Sequence, residues 1–202
     1  MKPALFGLLA LAAQAAFASD IYFVTVDTSS VSGTAGAVYL QFTPGLNADL
    51  AMVAVTDFLI APTGGLTGIP ITNGDVSGSL SSPPLVLTNT DGLNDYLNFL
   101  TFGDSMSFQL EFAWTAPLVG DAGSQFSFGL TASDGLSPIL TTDPNGFAGT
   151  ISYDNTGLFT VTTFSEETTI ESAVPEPASM SLCLGAALAW FVPRMRRRRP
   201  GI

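Results

Sequence analysis

Between its two ends this chain offers almost nothing but oxygen for chemistry. Five carboxylates, Asp57, Asp95, Asp104, Glu111 and Asp134, are the residues from which a general acid and its partner carboxylate could be drawn. Such a pair is what glycosidic hydrolysis needs. A denser group, Asn89, Asp91, Asn94 and Asp95, sets four hard oxygen donors within seven residues, the donor type that suits calcium. Asp143 with Asn145 and Asp154 with Asn155 form two further oxygen-rich loops. None of these has the EF-hand spacing D-x-[DN]-x-[DN]-G followed by a distal Glu. Most of the Asp residues stand beside Gly, Pro, Asn or Ser, where a carboxylate ordinarily closes a turn through its own backbone.

What is missing narrows the field further. The chain has no His, and between residues 19 and 173 it has no Lys, Arg or Cys. That removes His-based triads, thiol nucleophiles, Schiff-base lysines, His or Cys zinc sites and cationic phosphate clamps. No G-x-x-x-x-G-K loop is present. No cofactor is expected, with calcium the one that the residues leave open. Sixteen of the 17 carboxylates fall in this stretch, giving it a charge of about −16. Nucleic acid and anionic membrane surfaces would repel it, so nucleic acid is not an expected partner.

The elements that must position these groups read as β-structure. Gly, Pro, Ser, Thr, Asn and Asp interrupt the chain every eight to twelve residues or so, with short runs rich in Val, Ile, Phe, Tyr and Thr between them. Strands are expected at 21–26, 37–42, 52–60, 76–80, 85–88, 107–114, 125–131, 147–153 and 158–164. Together they predict an all-β antiparallel β-sandwich or jelly roll. In 107–114, Phe108, Leu110, Phe112 and Trp114 share one face, with Gln109 and Glu111 on the other. An apolar core stripe is the expected role of these aromatics. A saccharide-stacking row drawn from Trp114, Tyr22, Tyr39 and Tyr96 is the alternative.

Two stretches are less regular. Leu93, Tyr96, Leu97 and Leu100 have helical spacing within 93–102, so either a short helix or a strand is expected there. Tyr153-Asp154-Asn155-Thr156-Gly157 has hairpin-turn chemistry. Residues 165–173 carry Glu166, Glu167 and Glu171 and are expected to be a polar linker.

Both ends read as addresses. Residues 1–18 combine Lys2, an apolar run from Ala4 to Ala13, and the small residues Ala16 and Ala18 at A-x-A spacing. That pattern predicts a signal peptide cleaved after Ala18. At the other end, Val174, Pro175, Glu176 and Pro177 form an extended, non-helical tetrapeptide. Fifteen uncharged residues follow, Ala178 to Val192. As a helix they would span about 22 Å, short of a hydrocarbon core of roughly 30 Å, so they are expected to form a single, marginal transmembrane helix. Arg194, Arg196, Arg197, Arg198 and Arg199 come next and would hold that end on the cytoplasmic side.

This tail, over Val174 to Arg199, resembles the PEP-CTERM sorting signal of exported bacterial proteins. The resemblance implies recognition through Pro175, Glu176 and Pro177 and processing by exosortase, an integral-membrane transpeptidase. An ordinary membrane anchor behind a proline-rich linker is the other account of the same residues. The segments 24–36, 74–80, 93–96 and 140–146 resemble one PEP-CTERM family with no assigned activity.

The expected organisation is therefore a signal peptide (1–18), a β-sandwich ectodomain (19–164), a polar linker (165–173) and a sorting signal (174–202). The expected function is that of a non-catalytic envelope or extracellular-matrix protein. It would be held at the inner membrane before processing and would then lie among extracellular polysaccharide. A saccharide-binding surface module, with or without calcium, and a carboxylate-dependent glycoside hydrolase are the alternatives.

Overall fold

The computed structural model describes residues 20–114 and 118–173. The signal-cleavage residues Ala16 and Ala18, the motif Val174–Pro177, the apolar run and the tail arginines lie outside the described residues. Among the described residues no helix is long and apolar enough to cross a membrane.

The chain folds into antiparallel strands: β1 (Asp20–Asp27), β2 (Ala35–Pro44), β3 (Ala51–Ala61), β4 (Gly65–Leu66), β5 (Ile71–Asn73), β6 (Val76–Ser79) and β7 (Ser82–Thr88). They are followed by β8 (Asn94–Thr101), β9 (Ser105–Trp114), β10 (Ser124–Ala132), β11 (Pro138–Ile139), β12 (Gly149–Tyr153), β13 (Phe159–Thr163) and β14 (Thr168–Ser172). One sheet has the order β14-β1-β9-β3-β7-β6. The other has the order β13-β12-β10-β2-β8-β4, with β5 also on β8 and β11 on β10.

Period-two alternation explains the packing. In β9, Met106, Phe108, Leu110 and Phe112 are buried while Gln109 and Glu111 face outward. Val38, Leu40 and Phe42 of β2 and Phe126, Phe128 and Leu130 of β10 are buried on the matching face of the second sheet. Rings then meet between the sheets: Phe112 lies 6.4 Å from Phe42 and from Phe126, and Phe108 lies 5.4 Å from Phe128, edge to face. Such geometry adds about 0.5–1.5 kcal/mol per pair to the burial itself. Beside the β2–β10 pair the 140–148 loop passes so close over the second sheet that a Cβ on Gly129 would run into the Gly146 carbonyl. Only glycine fits there.

Within residues 93–102 the chain forms strand β8, with Asn94, Tyr96, Asn98 and Leu100 on the buried side. The linker expected at 165–173 needs correction. Thr168–Ser172 is β14, paired with β1 from Tyr22↔Ser172 to Val26↔Thr168, and Ile170 packs against the core. The pairing continues past the strand, where the Ala173 N–H donates to Ile21 O at 2.8 Å. Strand pairing with β1 thus reaches the last of the described residues.

Candidate functional site

The four oxygen donors near residue 90 are placed by the turn between β7 and β8, and each has a different neighbourhood. Asn89 is buried: its Oδ1 accepts the Ala51 N–H at 2.8 Å, while its Nδ2 donates to Asp49 O at 2.7 Å and to Ser124 Oγ at 2.8 Å. Asn94 is fully buried, its Oδ1 accepting the Asp75 N–H at 2.8 Å and its Nδ2 donating to Phe42 O at 3.1 Å and Asp91 O at 2.8 Å. Asp95, one residue on, faces the opposite side of the sheet, where Tyr39 Oη donates to its Oδ2 at 3.1 Å. Asp91 is exposed. The asparagines fasten loops to strands, and the two carboxylates do not join them around a common point. Among the described residues no three His, Cys, Asp or Glu side chains are grouped to hold a metal.

The five candidate catalytic carboxylates are likewise dispersed. Asp57 is exposed at the irregularity in β3 between Thr56 and Leu59, with φ +51°. Glu111 projects from the outer face of the first sheet, in register with Ile21 and Ala54, whereas Asp95 lies half-buried on the outer face of the second. Asp104 and Asp134 are exposed in turns. None of the five is buried, and a glycosidase needs two carboxyls facing across one cleft.

Turn closure accounts for several acids. Asp134 Oδ1 accepts the N–H groups of Leu136 and Ser137, both at 2.9 Å, and Ser137 Oγ donates to its Oδ2. These bonds stabilise the charged form and pull its carboxyl down to about 2. Bonds from Thr156 and Leu158 lower Asp154 in the same way. A lowered folded-state value contributes stability above the ordinary carboxylate range, near 3.9, and loses it as pH falls through the folded value. Asp134→Ala is therefore expected to lower the melting temperature at pH 5. Its deficit relative to the parent chain should close between about pH 4 and pH 2. A deficit independent of pH would show that the turn does not depend on the charged carboxyl.

Tyr22, Tyr39, Tyr96 and Trp114 form no exposed row. Tyr22 and Tyr96 are buried. Trp114 stacks on Tyr153 at 5.8 Å, and Tyr39 on Phe147 at 6.4 Å. Burial, followed by the charge of Asp95, pushes the Tyr39 phenol well above its ordinary value, so it stays protonated and donates.

Two of the open grooves gather polar side chains from separate segments, so neither is legible as a run of residues. One, of about 650 Å³, lies along the outer side of the second sheet and is lined by Gln41, Thr43, Gln125, Ser152, Asp121 and Asn155 among others. Beside it Gln41 Nε2 donates to Tyr39 Oη at 3.2 Å and Gln125 Nε2 to Ser127 Oγ at 3.0 Å. Amides and hydroxyls of this kind exchange hydrogen bonds with other neutral polar groups. The alternation of β2 and β10 held the signal for it, in the outward positions of Gln41, Thr43 and Gln125. The other groove, of about 620 Å³, gathers Asp27, Asp104, Glu166 and Glu167 from three separate segments.

No known protein family, curated protein or solved structure matches this chain.

Proposed function

We propose that this chain is an exported, non-catalytic envelope or extracellular-matrix protein. Its mature part is a β-sandwich, and its C-terminal tail is a PEP-CTERM-type sorting signal processed by an exosortase-like membrane transpeptidase. The observation that carries the proposal is the pairing of the first strand of the described domain with its last. β1 starts at Asp20, two residues after the expected cleavage at Ala18, and its partner β14 continues its hydrogen bonding to Ala173, next to Val174. Because β1 and β14 are antiparallel, the chain enters and leaves at the same end of one sheet, and the two processing signals expected from the sequence lie outside this pair. The sandwich assignment is supported by the single core to which both sheets contribute. Carboxylates spent on turns and outer faces support a role without catalysis.

The test is the mature protein in its native host. Changing Pro175, Glu176 and Pro177 together to alanine is expected to leave export intact and to stop maturation, so that the arginines remain on the chain and the protein stays in the inner membrane. Intact mass and cell fractionation measure both. A mutant with the same mature mass as the parent would overturn the sorting function.

A further inference from the structure

Sheet edges present unpaired backbone groups, and proteins protect them with charge, bulges or shortness. Three edges here carry such protection. β14 has Glu171 exposed and follows Glu166 and Glu167. β6 has a shifted register between Ser77 and Ser79 around Gly78, at φ +75°. The β8 side of the second sheet is covered only by β4 and β5, two and three residues long. The fourth edge, β13, has no charge or bulge within the strand, Glu166 standing only beyond its C-terminal end near Thr163 and Phe164. From Asn155 to Ser165 there is no charged residue and no proline, and the strand itself reads Phe-Thr-Val-Thr-Thr.

The register fixes which groups are open. The Phe164 N–H donates to Ala148 O at 2.9 Å and the Asp154 N–H to Leu158 O at 3.1 Å. In an antiparallel ladder this turns the backbone groups of residues 158, 160, 162 and 164 toward β12 and those of Phe159, Val161 and Thr163 away from it. Among the described residues no strand stands on that outer side.

We propose that β13 pairs antiparallel with β13 of a second copy, about a two-fold axis through Val161. Val161 then faces its own counterpart and Phe159 faces Thr163 of the second copy, so that all three open residues are satisfied by about six main-chain hydrogen bonds. The side chains fit the same register. Thr160 meets Thr162 of the other copy, a favourable cross-strand pair, and Leu158, 68 % exposed, meets Phe164. This matching of the strand's side chains with those of its own copy is what favours a second copy of this chain as the occupant. Charge selects the same place, because an uncharged edge is where two molecules of about −16 can approach most closely. The two second sheets become one continuous sheet with an isologous interface.

Sedimentation of the full chain in mild detergent tests this independently of the sorting function. A dimer is expected, and it should tighten as salt is raised and like charges are screened. Val161→Pro removes an outward N–H that makes no bond to β12, and Val161→Asp sets like charges face to face across the axis. Each is expected to weaken the dimer about tenfold or more while leaving the near-ultraviolet spectrum unchanged. In a Cys183→Ser chain, Val161→Cys should give a disulfide-linked dimer under mild oxidation and Ser172→Cys, on β14, should not. A chain that stays monomeric at about 1 mM, where even an association of only about −4 kcal/mol would be half formed, would overturn the proposal. So would a dimer indifferent to both Val161 substitutions, since the apolar tail would then hold it together.

Discussion

Phe112→Ala is expected to destabilise the domain by about 3–5 kcal/mol, with a fall in melting temperature on the order of 10 °C. Phe112 is 1 % exposed, and its ring touches Tyr22 at 5.8 Å, Phe159 at 5.3 Å, and Phe42 and Phe126 at 6.4 Å. Removing it deletes contacts to both sheets at once, and the walls of the resulting void are aromatic rings that cannot easily close over it. A domain holds only about 5–15 kcal/mol in total, so this one residue represents a large share. The measurement is a urea titration, in which the midpoint should fall with the slope unchanged. Phe23→Ala on the outer face, where Phe23 is 47 % exposed, is the control and should cost under about 1 kcal/mol. A loss at Phe112 no larger than that of the control would mean that the ring does not join the sheets.

Asn94→Ala is expected to cost about 3 kcal/mol or more, and to cost the same with calcium as with a chelator. The substitution leaves the Asp75 N–H and the carbonyls of Phe42 and Asp91 without their partner, at about 1–3 kcal/mol for each group that stays dry. Thermal melts in calcium and in chelator separate a loop fastener from a metal ligand. A ligand would lose stability only where calcium is present, because bound ion stabilises the folded state by mass action. A deficit confined to calcium would reinstate Asn94, with its neighbours, as a site.

All nine strands expected from the sequence are present, because short runs rich in Val, Ile, Phe, Tyr and Thr stand between turn formers, and in β1 and β9 the buried and exposed residues alternate as well. β8 stayed ambiguous for a physical reason. Its buried side carries Asn94 and Asn98 between Tyr96 and Leu100, while Leu97 and Phe99 sit on the other side, beside the turn that holds Gly135. Polar residues inside and apolar residues outside left the leucines at helical spacing. β14 was hidden by brevity, since only Thr168 and Ile170 face inward among glutamates, and its pairing with β1 is a contact across almost the whole domain. The oxygen cluster failed for another reason. Neighbouring residues on a strand point to opposite faces, so nearness in sequence separated Asn94 from Asp95 instead of joining them. Both grooves are assembled from distant segments, and no single stretch could have announced them.

The pairing of β1 between β9 and β14 has a consequence in time. β1 is the first strand of the domain to be synthesised, yet its neighbours are β9, beginning at Ser105, and β14, near the end of the domain. It waits for more than half the domain to arrive before gaining one partner, and for nearly all of it before gaining the second. Contacts of such long range are slow to form, because the loop they close must be ordered before they stabilise anything. The β3–β7 and β2–β8 pairs lie wholly within residues 35–101 and need neither of these late strands. The final strand acts as a latch on the first sheet, closing over β1 only when the whole domain has been delivered.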